Sequence, residues 1–203
     1  MIIGPDFVWL HLPKAAGTET EAVLRGAAGN DKRIAFDPID LDNVIWHHSI
    51  RERMDYDPRF RPAGRRILCN LRRLPFWVIS WTEFCYRLFP HNKPTREMFV
   101  AGRLFEWDGS ISVPDDYARK YNTPEVDTWI RSEFLAKDLA REFAGWFGWR
   151  RSPKDFMAQR NKGTAIRFDI GFYFTPAELK DLYRRNPLWS ALEESVYGDL
   201  IEL

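Results

Sequence analysis

Cysteine is scarce in this chain: Cys69 and Cys85 are the only two among 203 residues, and there are four histidines. Both cysteines lie in apolar surroundings, and two cysteines make no zinc site without several histidines close by. They read as reduced core thiols, as expected of a cytoplasmic protein. An excess of one charge is also missing. The 30 Lys+Arg against 29 Asp+Glu leave a formal +1, so no global field points to nucleic acid or an anionic membrane, and any anion site must be local. No apolar run approaches the roughly 20 residues that span a bilayer, and no basic segment precedes an apolar core at the N-terminus. No membrane span and a soluble protein are expected. No internal repeat or low-complexity linker interrupts the sequence. What is present is 45% hydrophobic and 29% charged residues, enough for one well-cored domain, expected to cover residues 1–203.

Apolar periodicity places the elements. Phe7–Leu12, bounded by Pro5 and Pro13, is a short β-prone run and reads as a buried strand. Asn43–Ser49, "NVIWHHS", predicts a second strand running into a loop or helix start at Ser49, and Ile67–Leu71 a third. Phe76–Phe89 carries aromatic and aliphatic residues at helical spacing, as a largely buried helix would. Residues 91–124 are rich in Pro, Gly, Asp and Asn and read as an irregular region with one short helix near Arg96–Gly102; long loops of this kind serve as lids or binding loops. Thr128–Arg131 predicts a strand, and Leu135–Phe147 an amphipathic helix stopped by Gly148. Thr175, Pro176 and Glu178 open a capped helix, and Leu188–Tyr197 forms a last one. Strands alternating with helices predict an α/β fold with a central, mostly parallel sheet flanked by helices.

Between the first strand and the first helix stands "HLPKAAGTET", starting at His11. Thr18 and Glu21 have the spacing of a capping box, so a helix is expected from Thr18 to about Gly26. The free N–H groups at a helix start, together with the helix dipole, favour an anion there. Gly17 lets the backbone approach a ligand, and Lys14 adds a movable positive charge. This is not a Walker A loop, whose lysine follows the second glycine, because Lys14 precedes Gly17 by three residues. A βα turn with a solvated lysine is the plainer reading of the same residues.

Taken with a second block, the stretch resembles the sulfotransferases that use 3′-phosphoadenosine 5′-phosphosulfate (PAPS), in particular the carbohydrate-type and bacterial members. Their first strand ends in H-[IVL]-P-K-[TA]-[GA]-G-T-[ST], matched by "HLPKAAGT" at His11 to Thr18. Their second block, R-[DN]-P-x-x-R-x-x-S, is similar to "RRLPFWVIS", with Arg72 and Ser80 eight residues apart. An H-x-S element matches His47 and Ser49, an R-x-E-x-L-x-x-D element matches Arg131, Glu133, Leu135 and Asp138, and Asn161 precedes the capped "FTPAEL". These pieces are colinear over nearly the whole chain. There are departures: Glu19 stands where the family has Ser or Thr, Ala15 replaces a common Thr, and the second block's proline is shifted by one to Pro75, with Arg73 and Leu74 at the usual Asp/Asn and Pro positions.

The resemblance implies a P-loop NTPase-like sulfotransferase fold, PAPS as the donor, and a hydroxyl of a small molecule or carbohydrate as the acceptor. Lys14 would stabilise the leaving phosphate. The N–H groups of Ala16, Gly17 and Thr18, with the hydroxyls of Thr18 and Thr20, would hold the 5′-phosphosulfate. Arg72 would grip the 3′-phosphate, with a hydroxyl from Ser80. His47 or His48 would take the acceptor's proton, the H-x-S match favouring His47 and Glu52 standing in reserve; His11 would orient the strand end. "QRNKGT", with Arg160 and Lys162, either closes over the nucleotide phosphate or is a solvated turn. No metal is required. Two other readings remain: a catalytically silent nucleotide-binding member of the fold, which Glu19 keeps open, and a P-loop-like nucleotide kinase, disfavoured because no lysine follows the loop glycine and no Mg²⁺-binding pair is evident.

Overall fold

A computed structural model of the chain describes residues 1–39, 44–88, 93–106, 108–147, Pro153 and 169–203. In chain order the elements begin with β1 (Ile2–Ile3), β2 (Phe7–Leu10), α1 (Gly17–Ala28), β3 (Ala35–Phe36), α2 (Ile50–Tyr56) and β4 (Arg66–Leu71). There follow α3 (Leu74–Leu88), α4 (Arg96–Val100), β5 (Leu104–Phe105), β6 (Ile111–Ser112) and α5 (Pro114–Tyr121). The last are β7 (Thr128–Arg131), α6 (Leu135–Glu142), α7 (Pro176–Arg185) and α8 (Pro187–Tyr197). The chain divides into two compact units, Met1–Leu71 with Thr123–Asn161, and Arg72–Asn122 with Lys162–Leu203.

The first unit is an α/β layer built on a five-stranded sheet of order β3-β1-β2-β4-β7. The expectation of a mostly parallel sheet is corrected here. β2–β4 and β4–β7 pair in parallel, whereas β1 runs antiparallel to both β2 and β3, which makes the sheet mixed. The reason is local: Gly4 N–H donates to the Phe7 carbonyl at 2.9 Å, and a reversal this tight can only yield antiparallel neighbours. β2 and the inner part of β4 are buried throughout, so they appear in sequence as continuous apolar runs. Phe7, Trp9, Leu68 and Ile130 pack with Val23 and Leu24 of α1, Leu135 and Leu139 of α6, and Phe143 and Phe147. Phe143 meets Phe7 edge-on at 5.1 Å. Burying such side chains stabilises the unit by about 1.5–3 kcal/mol each.

Three local expectations change. α1 begins at Gly17, its N-cap Ala16 is left-handed (φ 64°) and makes no side-chain cap, so the Thr18/Glu21 box does not form. The helix also runs through Gly26 to Ala28, the cost of that glycine, about 1 kcal/mol, being offset by burial of Val23 and Leu24. Ile45–His47 is a 3-10 turn and not a strand, because Ser49 and Glu52 form a reciprocal capping box that starts α2 directly behind it.

The second unit holds α3, which accommodates Pro75 in its first turn. The region expected to be irregular carries the β5–β6 hairpin, turning at Gly109 (φ 81°), and the helix α5, opened by Pro114. The carboxylate of Asp115 caps α8 by accepting from the N–H groups of Leu188 (3.2 Å) and Trp189 (2.9 Å). Thr175 and Glu178 form the predicted capping box of α7. Trp77 lies against Trp81, Tyr117 and Trp189 with ring centroids 4.7–5.3 Å apart, and Phe99 stacks on Phe174 at 4.9 Å. Among the described residues, no helix is long and apolar enough to cross a membrane.

Candidate functional site

The loop from His11 to Ala16 leaves the carboxyl end of β2, at Leu10, and enters α1 at Gly17. Two of its residues, Lys14 (φ 62°) and Ala16 (φ 64°), are left-handed without being glycine, a backbone state that costs about 1–2 kcal/mol per residue. Specific contacts hold it. Asn70, fully buried on β4, donates from Nδ2 to the Ala15 carbonyl at 2.8 Å and to Thr20 Oγ1 at 2.7 Å. Its Oδ1 accepts from Trp9 Nε1 at 2.9 Å. With the loop so held, the backbone N–H groups of Ala16, Gly17 and Thr18 donate to no acceptor among the described residues. Three adjacent donors at a helix start, with a lysine in the same loop, are the kind of group that suits an anion.

Thr18 is exposed, but Thr20 is not. Thr20 is fully buried and its hydroxyl donates to the Ala16 carbonyl at 3.1 Å. A hydroxyl has one hydrogen, so the expectation that Thr20 donates to a ligand is corrected: it builds the loop instead.

His11 is buried, with its ring against Trp9 (5.2 Å), Trp46 (5.3 Å) and His47 (4.5 Å). Burial, and after it the neighbouring His47 ring, the N-terminal ammonium and Lys14, push its pKa well below the ordinary histidine range, so it is neutral at pH 7. His47 Nδ1 lies 2.7 Å from the His11 carbonyl oxygen. A carbonyl only accepts, so Nδ1 carries the hydrogen, and in the neutral ring Nε2 is the basic nitrogen. His48 takes a different direction and packs on Tyr56 of α2 at 5.4 Å. Glu52, the reserve base, uses Oε2 to accept from the Ser49 N–H (2.8 Å) and hydroxyl (3.1 Å), so both Glu52 and the Ser49 of the H-x-S element serve as a helix cap.

No family model, no curated protein and no solved structure matches this chain.

In the second unit, Arg72 follows β4 directly, and its carbonyl accepts from Trp189 Nε1 at 3.2 Å. Ser80 is half-buried on α3. Arg160 and Lys162, with the rest of "QRNKGT", lie outside the described residues. Among the described residues, no group of three or more His, Cys, Asp or Glu could hold a metal. Sequence reasoning missed Asn70, although one signal was there: a single amide inside the otherwise apolar run "ILCNL", since a polar group buried there must be fully hydrogen-bonded.

It also missed Glu193. This carboxylate is fully buried and accepts from the Leu74 N–H (2.7 Å), Tyr183 Oη (2.9 Å) and Arg73 (3.3 Å), while Arg73 also pairs with Asp199 at 2.5 Å. Burial pushes its pKa up to about 7, against the pull of Leu74, Tyr183 and Arg73. A carboxyl whose folded pKa exceeds its unfolded value binds the proton more tightly when folded, so its effect on stability is most favourable at low pH and declines as pH rises from about 4.5 to 7. In urea unfolding at pH 5 and pH 8, wild type should lose about 2–3 kcal/mol more than Glu193→Gln over that interval. Parallel losses in the two proteins would show that Glu193 does not titrate in this range.

Proposed function

We propose that the chain is a PAPS-dependent sulfotransferase of P-loop NTPase-like architecture, acting on a hydroxyl of a small molecule or carbohydrate. The observation that carries this reading is the row of N–H groups at Ala16, Gly17 and Thr18, without acceptors among the described residues and set by a left-handed turn beside Lys14. The row also stands at the carboxyl end of a strand paired in parallel with β4, where open α/β sheets bind their ligands. PAPS, when bound, supplies an activated sulfuryl group.

Each residue then has a task. The three N–H groups and the Thr18 hydroxyl hold an anionic sulfate or phosphate without a proton transfer. The Lys14 ammonium offsets charge that develops on a departing phosphate oxygen, the preorganised stabilisation that dominates such transfers. The resemblance assigns a second phosphate to the planar fork of Arg72, with Ser80 in support. His47, its tautomer set by the His11 carbonyl, presents Nε2 to take the proton of an attacking hydroxyl, a contribution of about 10²–10⁴ in rate.

Lys14→Ala should lower kcat with PAPS and a sugar-alcohol acceptor panel by about 10²-fold, while calorimetric affinity for adenosine 3′,5′-bisphosphate changes much less. An unchanged kcat would remove the lysine from the mechanism. Preference of the wild type for ATP with Mg²⁺ over the bisphosphate would replace this reading by the kinase. A second reading is favoured by one observation: Glu19 buries Oε2 in the first turn of α1, bringing a carboxylate to the helix end meant for the anion. Under that reading the protein binds the bisphosphate but sulfates no acceptor.

A further inference from the structure

We propose that Asn70 is the positioning residue of the anion loop: from the adjacent strand it orients the peptide groups on both sides of Ala16 and so aims the N–H donors. The inference deepens the sulfotransferase reading and, for the nature of the bound nucleotide, rests on it.

Asn70 is 0% exposed and its amide orientation is unambiguous. Reversing it would set Oδ1 against the Ala15 carbonyl and Nδ2 against the Trp9 indole N–H, acceptor to acceptor and donor to donor. As it stands, both amide hydrogens are used, one on Ala15 O (2.8 Å) and one on Thr20 Oγ1 (2.7 Å). Because Thr20 accepts from Asn70, its own hydrogen is directed onward, to Ala16 O at 3.1 Å. The relay therefore holds Ala15 O directly and, through the Thr20 hydroxyl, adds a second donor to Ala16 O, which also accepts the Thr20 backbone N–H at 3.0 Å.

Peptide groups are planar and, throughout the described residues, trans, so each N–H points opposite the carbonyl of its own plane. Holding Ala15 O directs the Ala16 N–H, and holding Ala16 O directs the Gly17 N–H. The two held planes flank the left-handed residue at Ala16 (φ 64°), where an alanine would not stay unaided. A buried amide that only filled space in β4 would need partners, but it would not need two partners on either side of one strained residue.

The test compares wild type, Asn70→Ala and Thr20→Val by calorimetry with adenosine 3′,5′-bisphosphate and adenosine 3′-monophosphate, and by amide NMR of Ala16, Gly17 and Thr18 during titration with inorganic sulfate. Asn70→Ala should weaken the bisphosphate about tenfold or more, the effect of misaligning donors to a charged group, and leave the 3′-monophosphate unchanged. Thr20→Val should act in the same direction and less strongly; it is close to isosteric and carries the test if Asn70→Ala fails to fold. Equal weakening of both nucleotides, or a lowered melting temperature with the affinity ratio intact, overturns the positioning role. If wild type binds neither nucleotide, the sulfotransferase reading falls. Asn70 is then judged by sulfate: amide shifts present in wild type and lost in both variants uphold its role, and shifts absent from wild type or retained in the variants refute it.

Discussion

Gly17→Ala should lower the melting temperature by roughly 10 °C, although alanine is the better helix former. A Cβ at position 17 would stand 1.7 Å from Nε2 and 2.0 Å from Cδ2 of His11, far inside van der Waals contact with that edge of the imidazole. The backbone is helical there, so the requirement for glycine is one of space and not of φ. His11 has little room to retreat, being 5% exposed and enclosed by Trp9, Trp46 and His47. Overpacking of this severity costs about 3 kcal/mol or more, and each kcal/mol moves the melting temperature of a chain of this size by about 2–4 °C. The double variant His11→Ala/Gly17→Ala decides the cause. It should be more stable than Gly17→Ala alone, a coupling of opposite sign to simple addition. Melting of Gly17→Ala within a degree or two of wild type, or additive losses in the double variant, would refute the close-packing argument.

Asp138→Ala should cost about 3 kcal/mol in urea unfolding, the penalty for removing a fully buried carboxylate from a partly exposed arginine and the N–H it accepts. The Asp138 side chain is 0% exposed and accepts three hydrogen bonds from Arg131: from the backbone N–H at 3.0 Å, Nε at 2.9 Å and Nη2 at 2.9 Å. This two-pronged contact ties the end of β7 to α6. Burial works to raise the carboxyl's pKa, but the Arg131 guanidinium and N–H overcome it and hold the value below the ordinary carboxylate range. A depressed folded pKa stabilises the protein above the unfolded value, near 4, and that share is lost as pH falls through the folded one. The difference between wild type and Asp138→Ala should accordingly shrink below about pH 4. Arg131→Met/Asp138→Leu should recover most of the loss, because the penalty lies in the uncompensated charge. A loss under 1 kcal/mol, or no recovery in the double variant, would show that the pair is not the anchor of α6.

These two sites show how far the chain can be read without its structure. Arg131 and Asp138 were legible as a spaced pair, but their spacing shows neither the buried carboxylate nor the backbone N–H it accepts. Gly17 is legible as a loop glycine that leaves room for a ligand, but its letter does not show that His11 packs against it and also demands the missing Cβ. Thr18 and Glu21 had the right letters for a capping box, yet the chain enters α1 through left-handed Ala16 and the box does not form.

By itself, the sequence determined the strands β2, β4 and β7, the buried helix α3 and the capped start of α7, because continuous apolar runs and side-chain caps are local signals: the residues that make them are near neighbours in the chain. Tertiary structure alone decided that β1 turns the sheet mixed, that His11 fills the space above Gly17, and that Asn70 holds the loop from 55 residues away. Each of these depends on which strand lies beside which, and a strand's neighbour across a sheet leaves no periodicity in its own letters.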